Sequence, residues 1–205
     1  MLNTEFIAAP EAGSRRLMIV LHGLGDSMEG YRWWPEAMRL PWLNYLLVDA
    51  PDPYYGGFAW YDLENPADGI ERSRRLLLQL LDQLVARDFP PEQIVFSGFS
   101  QGCLMSIEIG ACYRHHLAGI VGISGYVHEP LQLVRQLAPE ALRQRFLLTH
   151  GTQDPLIPIG QVRPQIEILR RAGLQIEWRE FVKAHTIAGE EEMSVIRDFV
   201  RSGYP

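Results

Sequence analysis

Apolar runs alternate with helical periods along the chain. Leu17 to Leu21 reads LMIVL, five apolar residues in a row, which suits a buried strand. Leu46 to Val48, entered near Asn44, reads the same way, as do Ile94 to Ser97, Gly119 to Ile123 and Phe146 to Thr149. Gln175 to Val182 alternates apolar with polar and predicts the last strand. Residues Leu2 to Ala8 predict an edge strand. Between the strands, apolar positions recur at helical spacing. Ile70, Leu77, Leu81 and Leu84 mark the face of a helix that Asn65 caps and Pro66 opens, and Pro90-Pro91 stops it. Val162, Ile166 and Leu169 mark another, with Gly173 past its end, and Met193, Ile196 and Val200 mark the final one. Strands separated by helices need parallel crossovers, so the fold class is α/β with a doubly wound sheet. No repeat, low-complexity tract or linker interrupts this order, and residues 1–205 are expected to form a single domain. The loops are too short for a separate lid domain. A longer irregular stretch, Ala50 to Pro66, is rich in proline, glycine and aromatics.

One handover from strand to helix carries candidate chemistry. Gly98-Phe99-Ser100-Gln101-Gly102 fits G-x-S-x-G. A chance match in a chain of this length is on the order of one in ten, so the pattern alone is weak. Its place between a predicted strand and a predicted helix is the setting of a nucleophile elbow. Glycine is needed on both sides because the turn is crowded, and a Cβ there would meet the neighbouring strand or helix. The helix start behind Ser100 turns free N–H groups and a positive dipole end toward a developing oxyanion. The plain alternative is a turn with a helix-capping serine.

A serine nucleophile needs a base, and the base needs an orienting acid. In this architecture they follow in the order Ser, acid, His, each after a later strand. Asp154 follows FLLTH in HGTQDPLIP, and His185 follows the last predicted strand in FVKAHTIAGEE. The other five histidines (His22, His115, His116, His128 and His150) all precede Asp154, so His185 alone satisfies the order. The oxyanion hole needs two donors. The backbone N–H of Gln101 is one candidate, and the N–H of Leu24, in the Gly-rich loop LHGLGD after an early strand, is the other. His22 reads as a structural residue that holds this loop by hydrogen bonds.

Composition narrows the partners. The formal net charge is −6, the pI is about 5.5, and acid and base are interspersed with no basic block, which argues against nucleic acid and anionic membrane surfaces. No apolar run approaches the roughly eighteen residues of a membrane span, and the start of the chain lacks the pattern of a signal peptide. Cys103 and Cys112 fall on nearly opposite faces of one predicted helix, so they do not pair. That favours a reducing, cytoplasmic location. No Cys/His spacing suits a metal, and none is expected.

Taken together, LHGLGDS, GFSQG, HGTQDPLIP and the late Ala184-His185 resemble the acyl-protein thioesterase / carboxylesterase family, also called the phospholipase–carboxylesterase family of small α/β-hydrolases. The resemblance spans Ile19 to about Met193. It implies the α/β-hydrolase fold, with a mostly parallel central sheet and helices on both faces. It further implies a Ser100–Asp154–His185 triad, an oxyanion hole from Leu24 and Gln101, and cofactor-free hydrolysis of carboxylic esters or acyl thioesters through an acyl-enzyme. Two positions depart from the family pattern: Cys103 stands where the family usually has glycine, and Ala184 replaces the glycine before the histidine. The family's SWYD segment appears as Ala59-Trp60-Tyr61-Asp62.

Without a lid domain the site is expected to be open. Phe58, Trp60 and Tyr61, with neighbouring Tyr54 and Tyr55, are candidates to line an acyl groove for short to medium chains, as are Leu156 and Ile157 after the acid. Trp33 and Trp34 read equally as lining or core. An open apolar mouth also leaves room for a homodimer in which a partner copy covers part of it. The competing readings are a peptidase or lactonase on the same fold, and a catalytically weak binding protein that keeps the hydrolase shape.

Overall fold

A computed structural model describes residues 2–204. Seven strands form the central sheet: β1 (Thr4–Ile7), β2 (Leu17–Leu21), β3 (Asn44–Val48), β6 (Ile94–Phe99), β7 (Gly119–Ile123), β8 (Arg145–Gly151) and β9 (Gln175–Phe181). Their spatial order is β1-β3-β2-β6-β7-β8-β9. Every neighbouring pair is parallel except β1 with β3, which is antiparallel.

The unbroken apolar runs have a simple cause: both faces of the inner strands are covered. Along β2, Leu17, Ile19 and Leu21 point to one face and Met18 and Val20 to the other, and all five are buried. The first face packs against α2 (Pro66–Ala86), α3 (Gln101–Cys112), α4 (Pro130–Arg135) and α5 (Ile159–Arg171). The second packs against α1 (Trp34–Met38) and α6 (Gly189–Arg201), through Trp34, Met38, Met193, Ile196 and Val200. Ile70, Leu77, Leu81 and Leu84 of α2 are buried as their spacing requires. Asn65 holds the N-cap position, but its side chain makes no capping hydrogen bond, and Pro66 alone marks the start.

The stretch from Ala50 to Pro66 is more regular than its composition suggests. It contains a hairpin, β4 (Asp52–Tyr54) with β5 (Gly57–Ala59), turning through Tyr55 and Gly56 at φ 44° and 92°. Two successive residues at positive φ match the right-handed twist of a two-residue hairpin, but tyrosine is an unusual occupant of the first.

Register brings the carboxyl ends of the strands together. Leu21 of β2 lies opposite Gly98 of β6, so the loop from His22 to Asp26 emerges beside the serine turn. Gly151 of β8 lies opposite Phe181 of β9, so the segments carrying Asp154 and His185 leave the sheet side by side.

Candidate active site

Ser100 sits between β6 and α3 with φ 54° and ψ −114°, a conformation that a non-glycine residue holds only when its surroundings enforce it. The enforcement is visible. The Ser100 N–H donates to the Ile123 carbonyl at 2.9 Å, and α3 begins at the next residue. A Cβ on Gly98 would run into the Gly102 carbonyl, and one on Gly102 into the Leu21 carbonyl. The strand and helix therefore approach closely enough to lift the serine out of the turn.

His185 Nε2 lies 2.9 Å from Ser100 Oγ, and His185 Nδ1 lies 2.7 Å from Asp154 Oδ2. With its proton on Nδ1, the imidazole donates to the carboxylate and accepts from the hydroxyl. Asp154 is buried. Its Oδ1 accepts the N–H groups of Leu156 and Ile157, each at 2.9 Å. Burial pushes this carboxyl upward, but the Ile157 amide, His185 and the Leu156 amide together outweigh it, and the net direction is down. Beneath it, fully buried His150 donates from Nε2 to the Ile157 carbonyl at 2.9 Å and stacks on Trp178. Burial holds its pKa below the usual histidine value.

The segment bearing His185 is tied down on both sides. Lys183 Nζ donates to both oxygens of Glu192, at 2.6 and 2.7 Å, and the Ala188 N–H donates to one of the same oxygens at 2.7 Å. The two side chains of this ion pair are 3% and 0% exposed. Their separation in sequence, from loop to helix, left no periodic signal to find them by.

Leu24 and Gln101 border the same cavity as Ser100 and His185. The loop of Leu24 is held from behind. The Gly25 N–H donates to the Phe58 carbonyl, the Phe58 N–H returns to the Asp26 carbonyl, and Trp60 Nε1 donates to the His22 carbonyl, each at 2.9 Å. The Ala50 N–H donates to His22 Nε2 at 3.0 Å, so the His22 proton sits on Nδ1 and meets the Gly23 carbonyl at 2.6 Å. Gln101 contributes a side chain that the motif did not advertise. Its Oε1 accepts the Trp60 N–H and its Nε2 donates to the Tyr61 carbonyl, both at 2.9 Å.

These contacts correct two expectations. Trp60 is fully buried and Phe58 packs against the core, and neither lines the cavity; both brace the Leu24 loop. Tyr61, Leu156 and Ile157 do line it, joined by Leu63 and Tyr126, in a volume of about 550 Å³. The Tyr61 and Tyr126 hydroxyls lie 3.2 Å apart at its wall. Tyr54 and Tyr55 border a neighbouring concavity, and Trp34 belongs to the core. Cys103 is buried against Gly122 and Gly125, whose missing side chains make room for it, and burial pushes its thiol up to about 12. Ala184 is accommodated without a positive φ. Among the described residues, no group of three or more His, Cys, Asp or Glu side chains is arranged to hold a metal ion, and no helix is long and apolar enough to cross a membrane.

The profile of the phospholipase/carboxylesterase family matches residues 2–203. Acyl-protein thioesterase 1 of Schizosaccharomyces pombe is 34% identical over 166 residues, 74% of each chain. Among solved structures, esterase PE8 superposes with a TM-score of 0.86 at 24% identity, covering 99% of both chains. SOBER1 of Arabidopsis thaliana gives 0.85 at 21%, covering 92% of this chain and 98% of its own. At these identities the superpositions speak to the fold, that of the α/β-hydrolase esterases.

Proposed function

The chain belongs to the phospholipase/carboxylesterase family and hydrolyses carboxylic esters or acyl thioesters; we propose that it does so through Ser100, His185 and Asp154. The observation that carries this assignment is the continuous chain of short contacts from Ser100 Oγ through His185 to Asp154 Oδ2. His185 takes the proton of Ser100 as Oγ attacks the acyl carbonyl. Asp154 orients the ring and stabilises its cation. The oxyanion is received by the N–H groups of Leu24 and Gln101. Among the described residues, neither amide is engaged by another loop or side-chain acceptor. Collapse leaves an acyl-enzyme, and water activated by His185 releases the acid.

The cavity bounded by Leu24, Tyr61, Leu63, Tyr126, Leu156 and Ile157 supports short to medium acyl chains, because its volume is that of a small-ligand site. Two unpaired cysteines support a reducing, cytoplasmic compartment. The test is hydrolysis of p-nitrophenyl esters with acyl chains of about two to sixteen carbons, a span over which one pocket discriminates, by wild type and Ser100→Ala. Turnover that peaks at short or medium length and vanishes in the variant is the expected result. Equal activity in both proteins would remove Ser100 from the mechanism, and none at any length would move the binding-protein reading to the front.

A further inference from the structure

A second cavity also borders His185. It holds about 420 Å³ and is lined by Asp26, Tyr31, Trp33, Phe99, His185 and Ile187, among others. Asp26, Phe99 and His185 border both cavities, whereas Ser100, Leu24 and Gln101 border only the first. The ester site therefore has two arms that meet at the imidazole.

We propose that this second cavity is the leaving-group subsite and that it takes an uncharged, flat, apolar alcohol or thiol. The inference rests on the triad assignment and goes beyond it. A tetrahedral adduct on Ser100 carries three further substituents. The oxyanion points to the Leu24 and Gln101 amides. Of the other two, only the leaving group must reach His185 Nε2. On collapse the carbonyl re-forms and the C–O or C–S bond breaks. The proton that His185 took from Ser100 Oγ passes to the departing oxygen or sulfur. Because His185 borders both cavities, a leaving group seated in the second stays beside the imidazole, and the acyl chain takes the arm that contains the oxyanion donors.

The lining selects the chemistry. Trp33 is 42% exposed, packs on Trp34 at 5.1 Å between ring centroids and stacks on Tyr31 at 6.5 Å. It is a large aromatic surface held in place and left open on one side, suited to a planar apolar group. The Asp26 carboxylate at the junction disfavours an anionic leaving group.

The test compares substrates that differ at one end only. With the acyl group fixed as butyrate, kcat/KM is measured for ethyl and 2-naphthyl esters. With p-nitrophenol fixed, it is measured for acetate and octanoate. Trp33→Ala should lose roughly tenfold on the naphthyl ester relative to the ethyl ester, the scale of one apolar contact in a pocket, and leave the acetate-to-octanoate ratio unchanged. Leu156→Ala should do the converse. Trp33→Phe should recover most of the naphthyl preference, which separates a contact from a folding defect. Butyryl-CoA, a polyanionic thioester, should be no better than the neutral S-butyryl-N-acetylcysteamine. If Trp33→Ala alters the acyl-length ratio instead, or neither ratio, the assignment is overturned. A tenfold preference for the CoA ester would overturn the stated ligand class. Absence of wild-type turnover, or equal turnover by Ser100→Ala, would instead point to failure of the triad assignment.

Discussion

Replacing Lys183 by methionine should destabilise the fold strongly. The carboxylate of Glu192 receives three hydrogen bonds, two from Lys183 Nζ and one from the Ala188 amide, and it has no exposure to water. Lys183→Met removes two of the three and leaves a buried anion with one hydrogen bond. Removing one partner of such a pair costs about 3–5 kcal/mol. For a domain of this size each kcal/mol lowers Tm by about 2–4 °C, so a loss of roughly 6–20 °C is expected. Lys183→Met with Glu192→Leu removes the stranded charge too, and only the Ala188 amide loses an acceptor, at about 1–3 kcal/mol. The double variant should therefore be more stable than the single one. Urea unfolding of wild type, both single variants and the double variant closes a double-mutant cycle. The reasoning fails if Lys183→Met lies within about 1 kcal/mol of wild type, or if the double variant is as unstable as the sum of the singles.

Asp154→Asn should lower kcat by about 10⁴, because an amide in this place no longer fixes the His185 proton on Nδ1, while circular dichroism stays unchanged. Gly102→Ala should abolish activity and lower the unfolding free energy by about 1–3 kcal/mol or more, since the added methyl meets the backbone of β2 rather than a yielding side chain; wild-type activity in this variant would refute the crowded-elbow argument. Stability should also fall as pH drops below about 6.5. Burial holds His22 and His150 below that value in the fold, so the unfolded chain binds protons first and unfolding takes them up. Each contributes at most about 1.4 kcal/mol per pH unit, and the contribution is fully present above pH 6.5. A urea midpoint that stays flat from pH 7.5 to 5.5 would contradict it.

Where the sequence was legible, the cause was local. Runs such as LMIVL are apolar throughout because both faces of the sheet are covered, and Ser100, Asp154 and His185 each stand just past a strand end, where chain order alone sorts them. Where it was not, the deciding contact is remote. Phe58, Trp60 and Tyr61 are adjacent aromatics with different fates, chosen by the Leu24 loop and by Gln101, some forty residues away. The hairpin between Asp52 and Ala59 turns through a tyrosine at positive φ, which no turn preference announces. The tie between Lys183 and Glu192 joins a loop to a helix, and no periodicity reports it.

Gln101 bears on how this fold can change. In the proposed mechanism its amide receives the oxyanion, while its side chain grips the main chain at Trp60 and Tyr61, the latter a wall of the cavity beside Ser100. The wall and the donor are thus one mechanical unit. A substitution that displaces the main chain at residue 60 or 61 to admit a longer chain also tilts the first turn of α3. Widening the cavity from that side should then trade breadth of substrate against rate. Among the described residues, Leu156 and Ile157 make no hydrogen bond to Gln101; their main-chain amides hold Asp154, and the Leu156 side chain stands outside those bonds. Variation at Leu156, 71% exposed, is the freer route by which descendants of this enzyme, natural or engineered, can alter acyl preference.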